Sequence, residues 1–248
     1  MQISIRAEQI FHIGAFPITN SILLSFLALI VLAVLSFILN RGLRMVPGVV
    51  QNIAEAVLDG ALGLMDSVLG DRKKSEKYLP IVFTIFLFVL CSNWLGLLPG
   101  VGSVVVRTGE GTVPLLRSPA ADLNFTLALA LLAVTFVNAI GIAAVGWKSR
   151  IKNFLNFDSP ISFFVGILEL ISEFAKIISF SFRLFGNVFA GEVLLTIMAF
   201  LLPYVVPLPF MFLEIFVGFI QAFIFGMLTL VFIAGAISEG HQAEAGAH

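Results

Sequence analysis

The chain has 248 residues, of which 59% are hydrophobic and 12% charged, with a mean hydropathy of +1.07. Soluble domains are about 45–50% apolar and about 25% charged, so these figures exclude a soluble globular enzyme, a disordered chain and a nucleic-acid binder, and describe a polytopic membrane protein. The formal charge of -1 offers no bulk field to nucleic acid, and the one cysteine, Cys91, sits in an apolar run as a small buried hydrophobe with no partner for an intrachain disulfide.

In chain order, residues 22–39 form an apolar run long enough to span a bilayer, which takes about 20 residues. The run begins too far from Met1 for a signal peptide, and it is expected to be a retained helix. Residues 48–69 differ in kind. Asn52, Glu55, Asp59 and Asp66 share one helical face and Val50, Ile53, Val57, Leu64 and Val68 another. That pattern predicts a helix lying in the interface, followed by a charged break at Asp71–Lys77. A second span is predicted over 78–98, stopped by Pro99–Gly100, then a polar loop to Pro119 and a third span over 124–147. Ser159 as N-cap with Pro160 at the first helical position starts a long helix over 159–202. A proline-containing turn separates it from a last long helix over 205–238. No proline is expected well inside a helix. The fold class is thus an all-α polytopic membrane protein, a single membrane domain over 1–248. It has five transmembrane helices, one interfacial amphipathic helix and a steeply tilted helical hairpin at the C-terminus.

Basic residues set the orientation. Arg41, Arg44, Arg72, Lys73, Lys74, Lys77, Lys148, Arg150 and Lys152 fall on one side, against Arg6, Arg107 and Arg117 on the other. The richer side is expected to be cytoplasmic, which puts the N-terminus outside and the C-terminus inside.

The 159–202 segment is roughly 65 Å long at 1.5 Å per residue, twice the hydrocarbon thickness of about 30 Å, so it must lie steeply tilted. It carries Glu169, Glu173, Lys176, Arg183 and Glu192. Each charge facing lipid costs about 2.5–3.5 kcal/mol, so these side chains are expected to line water or meet a partner. Glu169, Glu173, Lys176, Phe180, Arg183 and Asn187 make one stripe, spaced by four and three, whereas Glu192 looks to the other side of the helix. Glu214 and Gln221 share a face of the last helix, which an antiparallel hairpin would bring near Arg183 and Glu192. Arg183 cannot give up its proton, whereas the carboxylates can exchange theirs. Two acidic pockets with a permanent cation between them form a proton path that cannot short-circuit. Blander readings exist for several of these groups. Lys176 could serve only in helix-surface pairs with Glu169 and Glu173, and Asn187 and Gln221 could be interhelical hydrogen-bond glue. Gly186, Ala190 and Gly191 read as close-packing positions, Glu110 and Asp122 as solvated loop charges. Asn93 is undecided, and His12, His241 and His248 carry no assigned role.

The run Ser181-Phe-Arg-Leu-Phe-Gly-Asn-Val-Phe-Ala-Gly-Glu192 resembles the signature of the ATP synthase a subunit family. Asn93-Trp-Leu-Gly-Leu-Leu-Pro-Gly100 and Gln221-Ala-Phe-Ile-Phe resemble two further motifs of that family. The resemblance implies the membrane stator of a rotary motor, facing a ring of c subunits and joined to peripheral-stalk b subunits and the other ATP synthase subunits in the bilayer. It implies that Arg183 separates two offset half-channels. Glu192, Glu214, Asn187 and Gln221 match positions of the outer one. Glu169 matches the cytoplasmic one, and Glu173 joins it through its place on the stripe. Members often pair Glu with His where this chain has Glu192 and Glu214, so two coupled carboxylates are expected here.

The chain has no Gly-x-x-x-x-Gly-Lys-Ser/Thr loop. It is therefore expected to be non-catalytic by itself and to need no cofactor, with the proton as coupling ion. A secondary ion-coupled transporter is the alternative, and would show internal repeats and broken helices. The expected location is a bacterial inner membrane, with a mitochondrial inner membrane as the alternative.

Overall fold

A computed structural model describes residues 7–13, 16–102, 104–108, 111–146, 160–202 and 205–245. Among the described residues lie six long helices: α1 (Asn20–Arg41), α2 (Val49–Leu69), α3 (Arg72–Gly96), α4 (Leu123–Val145), α5 (Pro160–Leu201) and α6 (Pro207–Ala245). All but α2 are long and apolar enough to cross a membrane. The protein is an all-α polytopic membrane protein. The expected N-cap Ser159, the basic residues Arg6, Lys148, Arg150 and Lys152, and Glu110 lie outside the described residues.

Two expectations are corrected by the helix ends. The charged stretch 71–77 is no break. The Asp71 carboxylate accepts from the Lys73 backbone N–H at 3.0 Å and starts α3 there, a good N-cap for otherwise unpaired amides. The earlier start leaves Pro80 inside α3, where it removes one backbone donor. The true break is Gly70, whose φ of 69° ends α2 in the left-handed conformation. Pro207 and Pro209 stand in the first turn of α6, where missing N–H groups cost nothing.

One end of the bundle carries β-structure that alternation of polar and apolar residues did not reveal. β1 (Gln9–Ile13) pairs antiparallel with β2 (Phe16–Thr19); after a short β3 (Pro99–Gly102), β4 (Val105–Thr108) pairs with β5 (Gly111–Pro114). A single 3-10 turn, Pro119–Ala121, then leads into α4, capped by Asp122, which accepts from the Asn124 N–H at 3.0 Å. Asp122 is buried and also accepts from the Ser21 hydroxyl at 2.9 Å. It is a structural cap joining α1 to α4, not the solvated loop charge expected, because the turn folds back against the start of α1.

The core has two layers. Near the hairpins, Ile85 and Val89 of α3, Ala130, Ala133 and Val134 of α4, Phe180 and Leu184 of α5, and Ala222 and Phe225 of α6 pack together. At the other end Met65 of α2 meets Tyr78, Val82, Val137, Leu230 and Ile233. The alanines let backbones approach closely, as packing within lipid requires. α1 is buried only at Asn20, Ser21, Leu24 and Ala28 and packs along α3. On α2, Val50, Ile53, Val57 and Leu64 are exposed whereas Leu62 and Met65 are buried against the bundle. The helix thus has one apolar side on protein and another free for the membrane surface.

Candidate functional site

α5 and α6 run antiparallel along their length, and the polar side chains of the long hairpin gather at two separate heights. At the level nearer the β-hairpins, the Arg117 guanidinium grips Glu192, with Nε 3.2 Å from Oε1 and Nε and Nη2 each 3.3 Å from Oε2. The Arg117 side chain is only 7% exposed, against 37% for Glu192. Such a buried charge is retained only when paired. Beside this pair, the Glu214 carboxyl of α6 lies over Gly191, in the space that a side chain at 191 would occupy. One turn along, the Asn187 amide donates to Gln221 Oε1 at 2.7 Å, with Gln221 almost fully buried. The end of α3 fixes the same stretch of α6. Asn93 Nδ2 donates to the Gly218 carbonyl at 3.2 Å and Trp94 Nε1 to the Ile215 carbonyl at 3.1 Å. Asn93, undecided from sequence, is therefore buried against the element that carries Glu214 and Gln221.

At the second level, about 15 Å further along α5 from Arg183, Lys176 Nζ lies 2.6 Å from Glu173 Oε1, and Asn138 of α4 donates to Glu173 Oε2 at 3.1 Å. Lys176 also sits over the Phe232 ring, 4.8 Å from its centroid. Glu169 is half-buried one turn beyond.

Between the levels the interior is mostly aromatic and aliphatic, around a few buried hydroxyls: Thr126 and Ser181, whose hydroxyl oxygens are 3.0 Å apart, and Thr229. Phe180 packs edge-on against Phe225 at 4.6 Å and Phe232 at 5.6 Å, with Leu184 fully buried beside them. Here Arg183 faces outward: it is exposed, donates to Ser179 Oγ at 3.3 Å, and makes no ion pair among the described residues. An open cavity of about 250 Å³ runs from Arg183 towards Lys176, lined by Ser172, Ser179 and Phe180 of α5 and by Leu228 and Phe232 of α6. The predicted stripe thus straddles the rim of the buried face. Glu173 and Phe180 turn inward while Arg183, offset by about 60° from Phe180 on an ideal helix, turns out. Gly186 and Ala190 are exposed on this outer face, and a side chain at 186 would meet nothing. Neither packs within the chain as expected, whereas Gly191 does.

The residue missed from sequence is Arg117. It was placed only as a positive charge beyond the membrane core, because a loop residue 75 positions from Glu192 carries no spacing signal. Among the described residues, no three His, Cys, Asp or Glu side chains come together as metal ligands.

Residues 22–234 match the ATP synthase A chain family. The chain belongs to that family. ATP synthase subunit a of Campylobacter jejuni (strain 81-176) is 34% identical over 93% of this chain and 91% of its own length. That of Moorella thermoacetica is 32% identical over 96% and 99%, and that of Syntrophobacter fumaroxidans 37% identical over 94% and 91%. The chain is thus similar along nearly its whole length to bacterial ATP synthase a subunits. As a member of the family it is a membrane-spanning subunit of the ATP synthase, a complex of ATP synthesis and proton transport.

Proposed function

We propose that this chain is the proton-translocating stator of a rotary ATP synthase, with Arg183 standing between two offset half-channels. Glu192, Glu214, Asn187 and Gln221 carry protons in from the outer side; Glu169 and Glu173 carry them out to the cytoplasm. The observation that carries this reading is the placement of Arg183, exposed on α5 at the height of the buried Phe180 layer, with a carboxylate cluster to either side along the hairpin. The aromatic layer of Phe180, Phe225 and Phe232 stands between the clusters, and no carboxyl group of the described residues lies in the bundle at that height. A proton must therefore pass outside α5, on a carboxyl group of the facing c ring.

As that carboxyl group passes Arg183, the fixed cation favours its ionised form, because opposite charges attract strongly where water is sparse. The carboxylate releases its proton on one side of Arg183 and regains one on the other, and the membrane potential contributes about 2.3 kcal/mol per charge per 100 mV. The basic residues Arg41, Arg44, Arg72, Lys73, Lys74 and Lys77 lie at the end opposite the β-hairpins, so that end is cytoplasmic, the N-terminus is outside and the C-terminus inside. On this reading the membrane is a bacterial inner membrane, in keeping with the bacterial relatives, and the chain is held beside the ring by peripheral-stalk b subunits. Nucleotide chemistry belongs to other subunits. A secondary transporter would need discontinuous helices at mid-membrane, whereas α5 and α6 are each continuous over 42 and 39 residues.

A tag on this chain is expected to co-purify a c ring and a soluble ATPase head. Arg183→Ala in native membranes is expected to abolish ATP-driven acidification while that complex stays assembled; unaltered pumping would contradict the reading.

A further inference from the structure

We propose that Glu8, the residue leading into β1, belongs to the proton path as the carboxylate at its outer mouth, delivering protons to Glu192. This rests on the reading of Glu192 as a half-channel group.

Buried polar atoms without a hydrogen-bond partner are rare, and when found they mark water. Among the described residues six such side-chain atoms occur, and five lie at the hairpin end of the bundle: Glu8 Oε2, Asn20 Oδ1, Ser92 Oγ, Asn93 Oδ1 and Ser118 Oγ. They come from the residue before β1, from α1, from α3 and from the turn after Arg117, and so do not belong to one helix surface. Two bonds hold Glu8 there. Its carbonyl accepts from the Asn20 N–H at 3.1 Å, and the Asn20 side chain donates to the Pro114 carbonyl at 3.4 Å. The segment from Pro114 leads three residues on to Arg117. One asparagine therefore joins Glu8, just before β1, to the loop bearing the cation that grips Glu192. The Glu8 backbone is thus two hydrogen bonds away from the loop whose Arg117 is paired with Glu192. The charged group facing Glu192 is Arg117 from the loop, with the Glu214 carboxyl of α6 over the neighbouring Gly191.

The step is a simple relay. Glu8 takes a proton from outside water, passes it through hydrogen-bonded water to Glu192, and returns to carboxylate. Arg117 is a positioning residue: its bidentate grip fixes Glu192 between donor and acceptor.

The test uses the assembled complex in native membranes, with Cys91→Ala as background and ATP-driven acidification as readout. Glu8→Gln is expected to slow pumping about tenfold, less than removal of an obligatory acid–base group, because water still reaches Glu192 directly. Glu8→Asp is expected to keep most of the rate. Glu8→Cys is expected to be slow, then to recover when iodoacetate converts the thiol to a carboxymethyl group, and not when iodoacetamide adds the uncharged amide. Wild-type pumping by Glu8→Gln overturns the proposal. So does equal slowing in the Asp and Gln variants with no recovery on carboxymethylation, or failure of the Gln and Cys variants to assemble, since the carboxyl would then serve only the fold. Arg183→Ala is run alongside. If it pumps normally, the half-channel reading itself has failed; if it is inactive while Glu8→Gln pumps normally, only the role of Glu8 has.

Discussion

The carboxyl group of Glu214 occupies the place where residue 191 would carry a side chain, so Gly191 and Glu214 form a knob and socket between α5 and α6. The socket sets the height at which Glu214 stands beside Glu192. Gly191→Ala improves helix propensity by up to about 1 kcal/mol, yet its methyl group must displace the carboxyl. Proton pumping is expected to fall by about an order of magnitude or more, as misplacement by 1 Å typically costs about a hundredfold, while assembly is retained. Adding Glu214→Asp, shorter by one methylene, is expected to restore part of the rate. The check is ATP-driven acidification of the single and double variants in parallel.

The Asn187–Gln221 bond is the second tie across the hairpin, at 2.7 Å. Gln221→Leu leaves a polar amide facing an apolar partner, at a cost of about 1–3 kcal/mol. The double variant Asn187→Leu/Gln221→Leu removes both and is expected to recover much of that stability in thermal unfolding of the purified complex. It should not recover pumping. Recovery of both would make the pair interhelical glue with no part in transport.

The Asp122 carboxylate caps α4 and holds Ser21 of α1. Asp122→Ala is expected to destabilise the subunit by about 2 kcal/mol, the upper range for a lost N-cap, and to lower the yield of assembled complex. Rates per assembled complex should change little. Asp122→Asn, which can still accept from the backbone, should fall between.

Asp66, outside the spanning helices, is held below the usual carboxylate range by the nearby Ser75 hydroxyl and by Arg72, whose guanidinium donates to Oδ2 at 3.0 Å. Because the folded form binds its proton less readily than the unfolded one, the tie is present above the ordinary value of 3.8 and lost as pH falls through the lowered one. Hydrogen exchange in the last turn of α2 is expected to be constant from neutral pH down to about 4 and to accelerate below, after correction for intrinsic rates. In Asp66→Asn it should be fast throughout, with no such step.

These residues also show what the sequence could and could not reveal. Spans were legible because lipid demands long apolar runs, and the interfacial helix because four polar residues share a face of 48–69. The prominence of Arg183 was legible because a charge in mid-helix is costly anywhere but beside water or a partner. Helix ends were less so: the Asp71 cap was hidden among lysines and an arginine that suggested a break. The hairpins escaped because β-pairing at Val105–Pro114 depends on a turn, not on apolar alternation. Arg117 escaped for a deeper reason. Its meaning comes from a contact across the fold, and nothing in local spacing joins residue 117 to residue 192. The same holds for the neighbourhood of Gly191, where the absence of a side chain matters only because Glu214 arrives from another helix.

The most direct measurement compares two currents in Arg183→Ala membranes. ATP-driven acidification with the head attached is expected to vanish. Passive proton flow under an imposed potassium diffusion potential, after the head is stripped, is expected to persist or rise, because the barrier between the half-channels has gone. Normal ATP-driven pumping, or a stripped membrane that no longer conducts at all although the complex is assembled, would contradict the role given to this guanidinium.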